Sequence, residues 1–359
     1  MDTACLCYVF CVYVVCHMVS RDFPRVMKKT DDIDFVVTWV DGNDPEWQRQ
    51  RALFAGEEDF SMNRNNARYR DFGTLKYWFR SVERYAPWVR KIHFVTCGQY
   101  PEWLDRNNPK LNLVEHKDFI PGQYLPTFNS HSIEINLHRI KDLSEQFVYF
   151  NDDTFLVSPV SPTVFFVNGL PRDIAIRNIP MLYQIGHINL NDINIINKHF
   201  AFARQFRQNL WKWLNFRYGI HCLRSLVFLP FVEFTGAKNA HVANAYLKST
   251  FLEVWDKCGN ELDKVCYHRF RSITDINQWL FKYWQIVKGT FYPQWINFGA
   301  AYGINDTKRF RKDFVGHRHK LICLQDCEGI GDPERLQNIK EDVLGIFQTE
   351  FPEKSSFEK

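Results

Sequence analysis

A chain of 359 residues that is 45% hydrophobic and 24% charged can bury a large core, which excludes a disordered chain and leaves room for one large domain or two. A formal net charge of +4 is too mild to point to nucleic acid, and it suits an anionic substrate or an acidic membrane surface. Aromatic residues, at 16%, are numerous enough for thick cores or for sugar-stacking surfaces. The ten cysteines form no C-x-x-C pair: Cys5, Cys7, Cys11 and Cys16 crowd the N-terminus and the rest are scattered, as reduced thiols are. Cys323 and Cys327 have no second ligand pair near them in the sequence, which speaks against zinc.

Ala4 to Val19 is apolar but short for a spanning helix, and its positive charges follow it, at Arg21 and Arg25. A weak anchor, a poor signal peptide and an upstream stretch before a start at Met27 are the readings. Met27-Lys28-Lys29-Thr30 favours the last, so residues 1–26 are expected to stand outside the domain.

Ile33 to Val40 reads as the first strand, running into the turn Asp41-Gly42-Asn43-Asp44-Pro45. Glu46 to Phe54 starts a short helix, and the polar stretch from Glu57 to Arg70 reads as a loop. Asp71 is placed to cap the next helix, where Leu75, Trp78, Phe79 and Val82 recur at helical spacing until Pro87. Lys91–Thr96 and Leu111–Glu115 are strands, Pro101–Leu104 a short helix, and Ser130–Ile140 a helix on which His131 and His138 are face residues. Phe147–Phe150 is an apolar strand that ends on Asn151-Asp152-Asp153 before the chain turns apolar again. This alternation predicts an α/β, Rossmann-like sheet with helices on both faces, and ligands of such sheets lie beyond the carboxyl ends of the strands.

Residues 172–232 change character, with Arg172, Arg177, Arg204, Arg207, Lys212, Arg217 and Arg224 interleaved with aromatics. Such a segment binds RNA, lies on a membrane, or is a helical subdomain with its aromatics turned inward, the last being commonest. Asn244–Trp255 and Asp275–Val287 look helical, and the tail from Asp332 reads as a charged helix with a frayed end. The expected organisation is a leader over 1–26, an α/β part over 27–171, an inserted helical segment over 172–232, and a C-terminal part over 233–359.

Two adjacent carboxylates at the end of a buried strand are costly unless a cation sits on them, so Asp152-Asp153 reads either as a divalent-metal site or as a polar turn that caps its own backbone. P-loop, dinucleotide, serine-hydrolase and zincin motifs are all missing from the sequence.

The segment Ile33-Asp34-Phe35-Val36-Val37-Thr38-Trp39-Val40-Asp41-Gly42 resembles the first signature block of the Stealth family, the sugar-1-phosphate transferases of bacterial capsule synthesis, related to the catalytic subunits of lysosomal-enzyme GlcNAc-1-phosphotransferase. A second block is similar from Arg68-Tyr69-Arg70-Asp71 through Arg80–Arg90 and Leu125–Ser130 to Asn151-Asp152-Asp153. The third resembles Ala240-His241 to His268-Arg269-Phe270-Arg271, and the fourth Leu321–Asp326, where the family usually has Asn in place of Gln325. Residues 172–232 fall outside the blocks.

The resemblance implies a GT-A-like fold and transfer of a hexose-1-phosphate, of the N-acetylhexosamine kind, from a UDP-sugar to a hydroxyl of a glycan or lipid-linked glycan, with release of UMP. It implies Mg²⁺ or Mn²⁺ on Asp152 and Asp153 with Asp326 as third ligand, and Arg271 on a phosphate. The acceptor proton goes to His241 or to Asp153; the sequence leaves both open. Asp34, Trp39, Asp41, Gly42 and Asp71 would line the donor pocket, with Asp71 alternatively a helix cap. No nucleic-acid partner is expected, and the implied location is cytoplasmic, with peripheral contact at the inner face of the plasma membrane. A metal-dependent glycosyltransferase releasing UDP, and a non-catalytic capsule-assembly protein, are the competing readings.

Overall fold

The computed structural model of the chain describes residues 32–55, 69–180, 186–326 and 332–359. The expectations for residues 1–26 and for most of the loop 57–70 lie outside these residues, as does Cys327. Strands in chain order are β1 (Ile33–Thr38), β2 (Ile92–Thr96), β3 (Leu111–Glu115), β4 (Gln146–Asn151), β5 (Thr154–Leu156), β6 (Phe166–Val167), β7 (Leu170–Asp173), β8 (Asn244–Leu247), β9 (Tyr292–Pro293), β10 (Gly299–Gly303) and β11 (Leu321–Gln325).

The central sheet has the order β3-β2-β1-β4-β8. β1 pairs in parallel with β2, Phe35 opposite Ile92, and with β4, Ile33 opposite Gln146. β3 extends the parallel set on β2, while β8 adds to β4 antiparallel, Phe147 opposite Tyr246. Parallel strands are covered on both faces and therefore read as continuous apolar runs. The alternation of side chains splits β1 between two cores. Val36 joins Phe147 and Tyr149 beneath the helices Lys248–Cys266 and Trp279–Lys288. Phe35 and Val37 join Val148 and Phe150 beneath the helix Leu75–Tyr85 and the C-terminal segment. Helices thus flank both faces, as expected for an α/β sheet.

A second, three-stranded sheet, β10-β11-β5, is joined to the first by the two residues Asp152 and Asp153, which link β4 to β5. β5 runs antiparallel to β11, Leu156 opposite Leu321. The acidic pair is therefore the junction of two sheets.

Three expectations are corrected here. Asn244–Leu247 is a strand, and the helix begins only at Lys248. Residues Pro101–Leu104 form a turn closed by a bond from Leu104 N to Pro101 O, 3.1 Å. The helix-face residues His131 and His138 face inward and are buried, His138 against Phe251 and Trp255. The C-terminal end is docked: Glu358 takes a bidentate ion pair from Arg80, at 2.7 Å to both oxygens, and Phe357 packs on Phe79. In the aromatic segment, Phe202, Phe206, Trp213 and Tyr218 are buried in the first core, the commonest of the arrangements anticipated. Among the described residues no helix is long and apolar enough to cross a membrane.

Candidate active site

A cleft of about 410 Å³ opens at the carboxyl ends of β1 and β4, and Trp39, Asp152, Asp153, His241, Arg271 and Asp326 all line it. Those residues come from five separated stretches of sequence, brought together by the fold.

The acidic turn is fixed from behind, where Leu324 N donates to Asp153 O at 2.8 Å. Burial pushes the Asp152 carboxyl up to about 8, and the charges of Asp153 and Asp71 push it the same way. Asp153 is also held above the carboxylate range by burial, with His241 pulling it back down. Carboxylates crowd one another here, and that donor set fits a divalent cation: Mg²⁺ commonly takes one or two carboxylates and completes its shell with substrate phosphate and water. Among the described residues no group of three His, Cys, Asp or Glu side chains is gathered to enclose a metal unaided.

His241 sits just before β8 with φ of 52°, in the left-handed region that non-glycine residues seldom adopt and that clusters at functional sites. Its N–H donates to Asn239 Oδ1 at 2.9 Å, which holds that turn, and its ring meets the edge of Trp279 at 6.2 Å. Burial pulls its pKa below the ordinary value of 6.5, Asp153 opposing and Lys282 reinforcing the shift. At neutral pH the imidazole is therefore neutral and able to accept a proton.

Arg271 reaches the cleft on a loop whose anchor was not visible in the sequence. Its Nη2 donates to Ser130 Oγ at 2.7 Å. The loop is held by Asp275, fully buried, which binds His131 Nδ1 at 2.8 Å, His268 Nδ1 at 2.7 Å and Asn129 Nδ2 at 2.9 Å. Asn129 also donates to the carbonyls of His268 and Phe270, and Phe128 stacks on Phe270 at 5.4 Å. Burial alone would raise the Asp275 carboxyl, but the bonds from His131 and His268 win and hold it at about 2. The stretch Leu125–Ser130 of the second block thus serves as the seat for the arginine of the third.

Glu134, which also lines the cleft, was likewise missed. Burial pushes it up to about 7, and Arg271 is the main influence pulling it down. Nothing in the helical pattern around it distinguishes an inward carboxylate from a solvated one.

Not every expected residue is brought in. Asp34 lies at the opposite end of β1 from Trp39, fully buried, and binds Arg90 Nε at 2.8 Å, His93 Nε2 at 2.9 Å and Ser144 N at 2.8 Å. It is a structural carboxylate of the sheet's amino edge. Asp326 lines the cleft but pairs with Arg70 at 3.1 Å, so it does not complete a triad with Asp152 and Asp153. Trp39 lines it, stacked on Phe94, and its buried indole N–H has no hydrogen-bond partner among the described residues. Asp71 lines it too; its Oδ1 accepts from Gly73 N at 2.7 Å, while Thr74 occupies the capping position of the helix. Asp41 stands outside the wall but close enough to Asp71 to raise its pKa further. Gly42 is a close-approach residue, since a Cβ there would meet Tyr69 O at 2.1 Å.

The sequence matches the family models of Stealth protein conserved region 1 over residues 31–59 and conserved region 2 over residues 68–173. The capsular polysaccharide phosphotransferase WcwK of Streptococcus pneumoniae is 44% identical, over 93% of this chain and 100% of its own length. An exopolysaccharide phosphotransferase of Lactiplantibacillus plantarum is 39% identical, over 91% of this chain and 96% of its own. The solved galactosyltransferase LgtC, in complex with donor and acceptor sugar analogues, overlaps 86% of this chain and 95% of its own at 10% identity, and its TM-score of 0.36 is too low to define a common fold. Identity of this level along nearly the full length of the relatives, together with the two matched regions, shows that the chain belongs to the Stealth family of capsular and exopolysaccharide phosphotransferases.

Proposed function

We propose that this cleft transfers a hexose-1-phosphate, of the N-acetylhexosamine kind, from a UDP-sugar to a hydroxyl of a glycan acceptor, free or lipid-linked, and releases UMP. The observation that carries the reading is the meeting of Asp152, Asp153, His241 and Arg271 around one cavity at the carboxyl edge of a parallel sheet. The acceptor oxygen attacks the β-phosphorus and the bond from that phosphorus to the bridging oxygen of the UMP moiety breaks, so the sugar–oxygen bond survives. His241 takes the acceptor proton; it is neutral beforehand because burial depresses its pKa, and Asp153 stabilises the imidazolium that forms. Arg271 presents a planar, permanently charged donor to the diphosphate, held there by Ser130 and by the loop that Asp275 fixes. Mg²⁺ or Mn²⁺ held by Asp152 and Asp153 would neutralise charge on the diphosphate. Trp39 forms part of the cleft wall where the nucleotide sugar would lie. The same reading puts the reaction in the cytoplasm, in cell-surface polysaccharide synthesis.

The test is incubation of the protein with a panel of UDP-sugars, Mg²⁺ and an oligosaccharide acceptor, identifying the nucleotide released and recording ³¹P NMR of the product. UMP and a phosphodiester resonance are expected. Release of UDP with a phosphorus-free product would make it a glycosyltransferase instead.

A further inference from the structure

Residues 193–232 contain no Asp or Glu and carry six bases, Lys198, Arg204, Arg207, Lys212, Arg217 and Arg224. The aromatics of the first half of this stretch are buried, but the second half turns apolar side chains outward. Ile220 is 81% exposed, Leu223 57%, Val227 73%, Leu229 51%, Phe231 56% and Val232 69%. These side chains follow one another within thirteen residues, so the exposure is a continuous feature and not the scatter of single apolar residues normal on a surface. The loop that displays them is fastened from inside. Arg177, almost wholly buried, donates to the carbonyls of Phe228 at 2.6 Å, Phe231 at 3.2 Å and Glu233 at 2.7 Å, and its N–H goes to Ser225 Oγ at 3.1 Å. A guanidinium held by three main-chain carbonyls keeps Leu229, Phe231 and Val232 presented to solvent in a defined shape. Arg224 is exposed in the middle of the patch and stands close enough to Lys238 to disfavour its charge.

We propose that Phe216–Val232 is the surface by which this protein docks on an anionic lipid bilayer. Of the two bases in Phe216–Val232, Arg217 is buried and Arg224 is exposed among the apolar side chains, with no Asp or Glu between Phe216 and Val232. That pattern matches the acyl–headgroup boundary of such a membrane, where the apolar groups are buried and Arg224 meets lipid phosphate. A second copy of the chain is a poorer occupant, because an isologous contact over Phe216–Val232 puts two Arg224 charges into one interface while the acid that follows the stretch, Glu233, stands at its edge. The patch also continues directly into the site. The chain leaves it at Glu233, pairs Ala237 with Arg177 and reaches Asn239, whose side chain caps the His241 turn. Docking there holds the cleft beside the membrane, where a lipid-linked acceptor would be presented; that consequence rests on the phosphotransfer reading, whereas the docking itself does not.

The test is flotation of the full chain with phosphatidylcholine vesicles and with vesicles containing 30% phosphatidylglycerol (a composition chosen on the order of bacterial anionic content). Binding is expected to the anionic vesicles and to fall by about tenfold or more in Val227→Ser/Phe231→Ser and by roughly fivefold or more in Arg224→Glu. All three positions are exposed, so the variants should keep the wild-type melting temperature and wild-type turnover on a water-soluble acceptor. Failure of the wild type to float, or flotation undiminished in the double variant, overturns the proposal, the latter by placing attachment elsewhere in the chain. A dimer in analytical ultracentrifugation that Val227→Ser/Phe231→Ser dissolves would also overturn it, making the patch a self-interface. Lost turnover with UDP-sugars beside intact vesicle binding would count against the reaction and leave the docking standing.

Discussion

Asp275→Asn tests how the arginine loop is held. The substitution preserves shape and removes one charge from a fully buried position that receives His131, His268, Asn129 and the N–H of Ser272. In the folded protein this carboxyl sits at about 2 against an ordinary 3.8. Each pH unit of displacement is worth about 1.4 kcal/mol, so the carboxylate contributes about 2 to 3 kcal/mol at neutral pH. Because the folded value lies below the unfolded one, that stability is fully present above about pH 4 and is lost as pH falls through about 2. Urea unfolding of both proteins at intervals from pH 7 downward should therefore show a gap of about 2 kcal/mol that is flat to near pH 4 and then closes. Loosening the loop also displaces Arg271, and a shift on the order of 1 Å costs about 10²-fold in turnover, so kcat should fall much more than the stability change alone would explain. A gap under about 0.5 kcal/mol at pH 7, or one that stays the same at pH 2.5, would refute the assignment of Asp275 as the anchor.

Asp152→Ala and Asp153→Ala should each lose most turnover while melting at or above the wild-type temperature, since each relieves a crowded carboxylate; full activity of the wild type in excess EDTA would dispose of the metal role. His241→Ala should cut kcat by roughly 10² to 10⁴ and remove an acidic limb of the rate profile that lies below pH 6.5, leaving UDP-sugar affinity by calorimetry nearly unchanged. Arg271→Ala should weaken both affinity and kcat, with Arg271→Lys restoring only part, because a point charge does not reproduce a planar fork. Asp34→Ala should cost about 3 to 5 kcal/mol through the unpaired Arg90 and His93 while leaving the KM for donor alone in whatever protein remains folded; a raised KM would return Asp34 to the donor pocket.

The strands were legible because parallel strands buried on both faces leave apolar runs such as Phe35-Val36-Val37 and Phe147–Phe150, and polar turns mark their ends. β8 was not, since four residues flowing straight into a long helix carry no period of their own, and their strand character comes from the edge of β4. The acidic turn could be placed at a strand end from local sequence, but His241 and Arg271 could be tied to it only through the family resemblance, being 88 and 118 residues beyond Asp153 (241 − 153 and 271 − 153). Asp34 was expected in the donor pocket with the rest of its block, and its place among Arg90 and His93 was not legible because those partners come from a later turn and strand. Asp275, Asn129 and Glu134 were illegible for the same reason: each polar side chain is buried by partners more than a hundred residues away. The C-terminal tail looked frayed by composition and is pinned by an arginine 278 residues upstream.

The charge pattern of the cleft explains why the proposed reaction calls for an external cation. Burial, reinforced by the charges of Asp153 and Asp71, already pushes the Asp152 carboxyl up to about 8. A diphosphate brings further negative charge to the same wall. Of the arginines that line the cleft, Arg70 is tied to Asp326 and Arg271 offsets Glu134 while binding Ser130, so neither can neutralise the acidic turn as well as the substrate. His241 cannot serve either, because burial keeps it neutral until it takes a proton. That same neutrality suits it to the acceptor. In the proposed transfer the imidazolium would form beside Asp153, so the charge created would be met by one already in place. The left-handed backbone of His241, costing on the order of 1 kcal/mol, is the local strain that presents the ring to the cleft just before the chain enters β8.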